Sequence, residues 1–457
     1  MNLARHSISA TNPVNLIDAR FDADFQIFTI STPEGFAVYR AWPLDLVRKR
    51  ELSGGTLQFV VPCHTSSLLF LVGGGPSPLY PPNKVILWDD ATGSEVAELE
   101  FRERVRGIAC RRGWLAVSLR RRVVVFTVAE QVTRYKEWDT CDNPRGILAI
   151  ATGAYSTLLA IAGRQMGHVQ LIHLPPCSPP VPKGPPPPSI PRKQNPRSAK
   201  SSISMIAAHT SDLTTLTVPP SGRLLATTSS RGTLIRIWDT YSGKLIRELR
   251  RGTNKADIYG IAFRPDETEI CAWSNNGTVH VFAVTGSESS NRQSSLSVLT
   301  TYIPHPKYFD SEWSYAQYRI PTQSSHIYLS STSSRARPAD LPDEDRCVVG
   351  WVSVPNDDPQ RPPEYQLIAL TYGGGWYRLA LPGALASRAV SPSPSSSPGP
   401  AAHNVPKSRS RPRPASVSSS STSRASKGKE KERKEGKEGI TCILEEFRRF
   451  GRWDGWT

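Results

Sequence analysis

The feature that most constrains the fold is a repeated unit built around a Trp-Asp pair. Residues 84–94 read Lys-Val-Ile-Leu-Trp-Asp-Asp-Ala-Thr-Gly-Ser, and residues 234–244 read Leu-Ile-Arg-Ile-Trp-Asp-Thr-Tyr-Ser-Gly-Lys. Each copy is followed by a second apolar segment and then by a Gly-Ile-Ala sequence, which starts at Gly107 in one copy and at Gly260 in the other. A unit of about 40 residues with this mark predicts a WD40-like blade of four strands.

The other apolar segments support the same fold class. They are short, rich in Val, Ile, Leu, Phe and Trp, and separated by turn residues, while long amphipathic helical patterns are nearly absent. Such spacing is typical of an all-β chain. Because one blade cannot bury both of its faces alone, blades close into a ring, and the length fits about seven of them. We therefore predict an all-β, seven-bladed WD40-like β-propeller over residues 13–386.

Two segments of low complexity do not fit a blade. Residues 175–201 are rich in proline and predict a polyproline loop. Residues 387–439 are rich in Ser, Pro, Lys and Glu, and this composition predicts a disordered insert because it cannot bury enough apolar area to fold. Residues 440–457 become apolar again, which predicts a strand that returns to the ring and a short tail. A free tail helix is the alternative.

Charge and cysteine usage restrict the partners and the compartment. The net charge of +16 and the pI near 9.7 favour an anionic partner, which could be nucleic acid, lipid headgroups or acidic proteins. The seven cysteines include no close pair, which favours reduced thiols in a cytoplasmic protein and predicts neither zinc nor another cofactor. We find no apolar core of a signal peptide and no run of about 18 apolar residues, so we expect no membrane span.

The pair Arg250-Arg251 carries the most informative chemistry. It follows an apolar strand and precedes Gly252. In an extended chain, successive side chains point to opposite faces, so each arginine is expected to serve its own ligand. The planar guanidinium suits bidentate phosphate binding, and Gly252 is expected to let the backbone turn. Taken alone, an Arg-Arg pair is more often a solvated charge pair.

Two matching sets of polar donors flank these arginines. The pattern Ser-x-x-Gly-Thr-x-x-Arg occupies residues 229–236, and Ser-x-x-Gly-Thr-x-His occupies residues 274–280. Hydroxyl, imidazole and guanidinium groups are the donors that a sugar phosphate requires. Each Ser-x-x-Gly-Thr run alone is also an ordinary WD40 hairpin turn, so the prediction depends on the complete set in this order.

The complete pattern resembles the PROPPIN family, the WIPI-type phosphoinositide-binding propellers of autophagy. Leu249-Arg250-Arg251-Gly252 matches the family hallmark between the fifth and sixth blades, and residues 141–146 and 306–314 match further family stretches. The resemblance implies two rim sites for phosphatidylinositol 3-phosphate and phosphatidylinositol 3,5-bisphosphate. Site one would consist of His209, Ser229, Thr233, Arg236 and Arg250. Site two would consist of Arg251, Ser274, Thr278 and His280. Trp273 stands where the family often has a small hydroxyl residue.

Two further surfaces follow from the resemblance. The loop over about residues 285–306 would insert into the bilayer through an apolar patch of Leu296, Val298, Leu299, Tyr302 and Ile303. A core strand is the alternative for this patch. Family members recruit the autophagy lipid-transfer protein through the second and third blades, and Asp24 and Asn83 lie in stretches that match that region. Both are equally compatible with ordinary loop positions.

The function that we predict from the sequence is a monomeric phosphoinositide effector. It would act as a peripheral protein on preautophagosomal, endosomal or vacuolar membranes and recruit autophagy machinery for autophagosome formation. The first alternative is a WD40 protein–protein scaffold without lipid binding. Nucleic-acid binding is disfavoured because no RNP, KH or C2H2 motif occurs. An enzyme is not expected because no G-x-S-x-G, H-E-x-x-H or P-loop motif occurs.

Overall fold

The structure of the chain is a computed structural model. It describes residues 16–63, 66–75, 77–111, 113–151, 157–175, 204–285, 290–292, 311–321, 346–356, 363–382 and 440–451. Every regular element in these ranges is a β-strand. Within the same ranges, no helix has the length and apolar character that a membrane crossing would need.

The first four sheets each contain four consecutive strands, and we call them blades one to four. Within each blade, neighbouring strands along the chain pair in antiparallel register. Their strands are β1 (Asp18–Phe21), β2 (Ile27–Thr32), β3 (Gly35–Arg40), β4 (Asp45–Glu51), β5 (Leu57–Pro62), β6 (Leu68–Gly73), β7 (Lys84–Asp89), β8 (Ser94–Glu100), β9 (Gly107–Arg111), β10 (Trp114–Ser118), β11 (Arg122–Val128), β12 (Val132–Asp139), β13 (Leu148–Ile150), β14 (Leu158–Ala162), β15 (His168–His173) and β16 (Met205–Ala207).

Blades five to seven recruit strands from later in the chain. Blade five has the order β17-β18-β19-β20-β24, blade six β21-β22-β23-β25-β29, and blade seven β26-β27-β28-β30. These strands are β17 (Leu213–Thr217), β18 (Leu224–Ser229), β19 (Leu234–Asp239), β20 (Leu245–Arg250), β21 (Ile258–Phe263), β22 (Glu269–Ser274), β23 (Thr278–Ala283), β24 (Glu312–Trp313), β25 (Ala316–Arg319), β26 (Cys347–Val354), β27 (Glu364–Thr371), β28 (Gly375–Ala380), β29 (Ile440–Thr441) and β30 (Ile443–Arg449). The prediction of an all-β, seven-bladed propeller is confirmed.

The Trp-Asp repeat has the same geometry in both copies. Each Trp-Asp pair ends the third strand of its blade, at β7 in blade two and at β19 in blade five. In both turns a glycine N–H donates to the aspartate carbonyl at 2.8 Å, from Gly93 to Asp89 and from Gly243 to Asp239. Both glycines have a left-handed φ, 66° and 65°, which favours glycine because it has no Cβ. The repeat in the sequence therefore reflects one turn used twice.

Apolar side chains between adjacent blades form the core. Strands of blades two and three bury Phe70 and Leu115 in one cluster, and blades five and six bury Ile237 and Ile270 in another. Each blade is covered on both faces by its neighbours, which is why the central strands are apolar almost without interruption. The first strands of the blades line the axis of the ring.

The ring closes between blades seven and one. Phe450 follows β30 and lies 5.4 Å, centroid to centroid, from Phe28 of β2. The indole Nε1 of Trp376 donates to the carbonyl of Ala41 at 3.2 Å, which ties β28 to blade one. β30 pairs antiparallel with β28, so residues 443–449 form the outer strand of blade seven.

The antiparallel blades place their loops alternately at two ends of the ring. We call upper the end at which the first strand of each blade begins. The upper end also holds the loops between second and third strands and the connections from one blade to the next. The lower end holds the loops between first and second strands and between third and fourth strands. Residues 176–203 and 383–439, which contain most of the predicted polyproline loop and the predicted disordered insert, lie outside the described residues.

Candidate functional site

Arg250 and Arg251 lie at the outer edge of blade five and contact different groups. Arg250 ends β20, where its Nε donates to Ser311 Oγ at 2.8 Å and its guanidinium lies 5.2 Å from the ring centroid of Trp313. Arg251 follows the strand, and its Nε donates to the carbonyl of Gly232 at 2.9 Å. Both side chains are buried. Leu249 packs toward blade six. Successive side chains of a strand point to opposite faces, so the side chain of Arg250 points away from blade six.

The imidazole of site one, from the connection between blades four and five, lies against the face of blade five that carries Arg250. His209 Nε2 lies 3.0 Å from Thr227 Oγ1. Arg236 stands opposite Thr227 in the sheet, and its Nη1 donates to the carbonyl of Ala208 at 2.7 Å. Its Nε is 2.9 Å from Glu248 Oε2, so this guanidinium is held by a half-buried ion pair. His209, Arg236 and Arg250 therefore share one side of blade five.

The second set of predicted residues lies on blade six. His280 Nδ1 is 3.1 Å from Ser314 Oγ, and Thr278 begins β23 beside it. Ser274 is buried, and its Oγ has no hydrogen-bond partner among the described residues. A buried hydroxyl without a partner is unfavourable, so this oxygen is available to a ligand or to water. Arg251 lies close enough to this set for its positive charge to lower the pKa of His280.

Two equivalent hairpins present these residues. In blade five the N–H of Gly232 donates to the carbonyl of Ser229 at 2.8 Å, and in blade six the N–H of Gly277 donates to that of Ser274 at 3.0 Å. Gly232 and Gly277 have φ values of 62° and 68°. A Cβ at Gly232 would lie 1.7 Å from a backbone oxygen, so no other residue fits this turn. Thr233 follows the first turn directly, and its carbonyl accepts from the N–H of Arg251 at 2.9 Å.

Burial and nearby arginines keep both imidazoles neutral. Desolvation, with a smaller contribution from Arg236, lowers the pKa of His209 to about 4. Desolvation, with smaller contributions from Arg251 and Arg292, lowers the pKa of His280 to about 4. A neutral imidazole still donates one N–H bond, and an incoming phosphate would offset the repulsion from the arginines.

Four contact residues of these sites were missed from the sequence. Ser311 and Trp313 hold Arg250, Ser314 contacts His280, and Thr227 contacts His209. The first three lie in the run Ser311-Glu-Trp-Ser314, within a stretch that matches the family. The available signal was a Trp flanked by two serines. Thr227 carries no motif of its own and could be placed only by the strand register.

The surroundings of Gly252 and Trp273 bear on the roles expected of them. Gly252 lacks a left-handed φ, and a Cβ placed there meets no described atom within 4 Å. The described residues therefore impose neither a φ nor a steric requirement for glycine at this position, and its role in a backbone turn stays a prediction. The Trp273 ring packs over Gly260 and lines the axial channel, on the face of β22 opposite Ser274. It therefore does not occupy the second site.

The two predicted partner-binding residues lie at opposite ends of the ring. Asp24 lies in the loop between β1 and β2 at the lower end of blade one, so the prediction that it belongs to the second and third blades is wrong. Asn83 precedes β7 at the upper end of blade two, and its Nδ2 donates to the carbonyl of Phe101 at 2.8 Å. A single small surface cannot contain both residues.

The predicted membrane loop lies largely outside the described residues. Leu296, Val298, Leu299, Tyr302 and Ile303 all fall in residues 293–310, for which no placement is described. Their insertion into a bilayer stays a prediction.

Comparisons with known proteins bear on the whole arrangement. A family model described as PROPPIN matches residues 195–336, which include both hairpins and the arginine pair. SVP1-like protein 2 of Pichia angusta is 30% identical over 325 residues, a stretch that covers 70% of this chain and 85% of the relative. The chain belongs to the PROPPIN family. Another relative of this PROPPIN is autophagy-related protein 18e of Arabidopsis thaliana, 31% identical over 306 residues, with 66% of this chain and 74% of the relative covered.

Solved PROPPIN structures share the propeller. Kluyveromyces lactis Hsv2 superimposes with a TM-score of 0.56 at 18% identity and covers 80% of this chain and 93% of its own. A chain of the complex of KlAtg21 with the coiled coil of AgAtg16 gives a TM-score of 0.58 at 15% identity, with coverage of 96% and 100%. At these identities the comparison concerns the fold.

Proposed function

We propose that this PROPPIN binds phosphatidylinositol 3-phosphate and phosphatidylinositol 3,5-bisphosphate on membranes through two sites on its rim. The observation that carries the proposal is the position of Arg250 and Arg251 between two equivalent hairpins, each with its own imidazole. A phosphorylated inositol ring offers phosphate oxygens to guanidinium groups and hydroxyls to Ser, Thr and His. Site one comprises His209, Ser229, Thr233, Arg236 and Arg250, and site two comprises Arg251, Ser274, Thr278 and His280.

The charge balance of the two sites suits a phosphate ligand. Among the carboxylates described near site one, Glu248 already pairs with Arg236, and this pair fixes the direction of the guanidinium. The hydroxyl of Ser311 and the indole ring of Trp313 fix the direction of the Arg250 guanidinium. A guanidinium whose direction is already fixed loses less conformational entropy when it binds an anion. Phosphate is therefore favoured over a neutral ligand.

Two sites on one rigid ring allow avidity. Once the first headgroup is bound, the second binds as an intramolecular event, so two weak sites produce stable membrane attachment. The predicted loop of Leu296, Val298, Leu299, Tyr302 and Ile303 would add an apolar anchor. The Leu299→Asp variant should weaken attachment to liposomes and leave binding of a soluble headgroup unchanged. Equal loss of liposome attachment and of headgroup binding would contradict insertion of this loop into the bilayer.

Recruitment of a protein partner is the second part of the proposed function. Relatives named as autophagy-related proteins support a role in autophagosome formation on preautophagosomal, endosomal or vacuolar membranes. Asn83, at the upper end of blade two, is the residue that we retain as a contact for the autophagy lipid-transfer protein. An Asn83→Ala variant that still captures this partner as well as the wild type would contradict that assignment.

Liposome flotation across all singly and doubly phosphorylated phosphoinositides tests the lipid part. We expect the wild type to float with liposomes that contain the 3-phosphate or the 3,5-bisphosphate and the Arg250→Ala/Arg251→Ala variant to remain at the bottom. The matched control is Arg120→Ala/Arg121→Ala, an adjacent and exposed pair on blade three with the same change in charge. Flotation of the Arg250/Arg251 variant at the wild-type level would favour the scaffold without lipid binding.

A further inference from the structure

A second basic site lies on the axis of the ring, away from the rim. At the upper end, the first strands of the blades and the connections between blades enclose a cavity of about 830 Å³. Its lining includes Arg104 and Arg106 between β8 and β9, Arg145 between β12 and β13, and Arg346 just before β26. Blade one adds Arg20. These five side chains come from widely separated parts of the chain and face one space.

Positive charge exceeds negative charge in this cavity. The described lining contains the five arginines and two carboxylates, Asp18 and Asp257. Each carboxylate has an arginine neighbour already, since Asp18 lies 2.9 Å from Arg20 Nε and Asp257 lies 2.8 Å from Arg145 Nη2. The remaining three arginines have no carboxylate within ion-pair distance among the described residues. The described lining therefore carries a net charge of about +3.

Two of these arginines also have an unused donor. The Nε atoms of Arg106 and Arg346 are buried and have no hydrogen-bond partner among the described residues. Arg346 is held in place by two aromatic rings, with its Cζ 5.8 Å from the Tyr259 centroid and 5.3 Å from the Tyr372 centroid. A buried guanidinium N–H without a partner is costly, and an anion in the cavity would satisfy it.

We propose that the upper end of the axial channel binds a compact, soluble anion that carries several phosphate groups. The volume fits one small ligand, and arginines from blades one, three, four and seven can contact separate phosphates on it. An extended acidic peptide would contact fewer of them, because they surround a cavity and do not follow a groove. Both the axis and the rim would bind phosphate, but they lie at opposite edges of a blade, about 14 Å apart for four strands.

Titration calorimetry with inositol hexakisphosphate tests this site. The Arg250→Ala/Arg251→Ala variant serves as the parent, so that the rim sites make no contribution and the result does not depend on the lipid proposal. We expect one molecule bound per chain. Adding Arg106→Gln and Arg346→Gln should weaken binding at least tenfold, and adding Arg120→Gln and Arg121→Gln should leave it unchanged.

Arg346 packs between two rings, so its replacement could disturb the fold. A second pair, Arg104→Gln and Arg145→Gln, changes only exposed side chains of the cavity and should also weaken binding at least tenfold. Thermal unfolding of each variant reports whether the ring is intact. Absence of binding in the intact parent, or equal binding in the cavity and control variants, would overturn the proposal. Displacement of the probe by an octaglutamate peptide at equal total charge, or binding only to phosphoinositide liposomes, would also overturn it.

Discussion

Arg250 and Trp313 are stacked in the outer layer of blade five, although 62 residues separate them in the chain. The guanidinium Cζ lies 5.2 Å from the indole centroid, and the two residues are register partners in the parallel pair of β20 and β24. This pairing orients the guanidinium of Arg250 from a segment outside the inner four strands of the blade.

Replacement of Trp313 by alanine should therefore weaken lipid binding through site one. A cation–π contact contributes about 1 kcal/mol, so we expect about fivefold weaker binding of the phosphatidylinositol 3-phosphate headgroup. Surface plasmon resonance on lipid bilayers measures the change. The control is Trp138→Ala on blade three, where Lys136 lies over the ring at 5.4 Å. Equal loss in the two variants would contradict a specific role for Trp313.

The single variants Arg250→Ala and Arg251→Ala should each weaken binding without the complete loss expected of the double variant. Each side chain has its own contacts, so the loss of one leaves the other site in place. Apparent affinity for liposomes should fall toward that of a single site because avidity is lost. Flotation at increasing lipid density measures this. If either single variant binds as poorly as the double variant, the two arginines serve one site.

Acidification should destabilise the unliganded protein through His209 and His280. Each folded-state pKa is about 4, below the ordinary value of 6.5, so the unfolded chain binds protons first. The stabilising contribution is complete above about pH 6.5 and is lost as the pH falls toward 4. The melting temperature of the wild type should therefore fall more between pH 7 and pH 5 than that of His209→Gln/His280→Gln.

The carboxylate of Asp22 changes the stability of the protein with pH in the opposite direction, and it provides the control for that experiment. Burial raises the pKa of Asp22 to about 6, so its stabilising contribution is present at low pH and lost as the pH rises through 6. The Asp22→Asn variant should lose more stability than the wild type over the same acid range. Identical pH profiles of the wild type and the histidine variant would show that the two imidazoles do not titrate as described.

Substitution of Gly252 by alanine should leave the stability of the fold almost unchanged, so that any effect on liposome binding can be measured separately. The position has space for a Cβ among the described residues and no left-handed φ, so the free energy of unfolding should change by less than about 0.5 kcal/mol. If a headgroup approaches this backbone, the methyl group should weaken liposome binding severalfold. The comparison is Gly232→Ala, which meets a backbone oxygen and should destabilise the fold. Unchanged binding in Gly252→Ala would place the headgroup elsewhere.

Replacement of Phe450 should lower the free energy of unfolding more than replacement of most other residues of the ring. It is fully buried against Phe28 and Tyr39 of blade one, and replacement of a buried phenylalanine by alanine costs about 3–5 kcal/mol. Urea unfolding of Phe450→Ala should show this loss. Phe447→Ala, in β30 three residues earlier and 44% exposed, is the control and should lose much less. Similar losses in both variants would contradict closure through Phe450.

The fold was predictable because its signals are local. The Trp-Asp turn, the short apolar strands and the hairpins at Gly232 and Gly277 each lie within one blade, and the first three strands of every blade come from a contiguous piece of chain. The divergence of Arg250 and Arg251 was also accessible, because strand alternation requires only that the position of β20 be known.

Strand pairings between segments far apart in the chain could not be predicted from the sequence. The strand β24 joins blade five after blade six has largely formed, and two residues have no periodicity to reveal them. The position of Asp24 depends on counting blades from β1, which carries no Trp-Asp mark. The axial arginines belong to connections between blades, so that only the closed ring brings Arg106 and Arg346 together.

Ring closure places a condition on the order in which the chain can fold. The N–H of Gly451 donates to the hydroxyl of Tyr39 at 3.3 Å, across 412 positions of sequence. During synthesis, blades one to five and the first four strands of blade six can form as their strands emerge. The part of blade one that Phe450 covers stays exposed until β30 and Phe450 have left the ribosome. A chain that stops short of residue 440 leaves that part of blade one and the outer edge of β28 exposed. Because the ring closes through residues 440–451, the propeller can bury the apolar side chains between blades seven and one only after these residues have been synthesised.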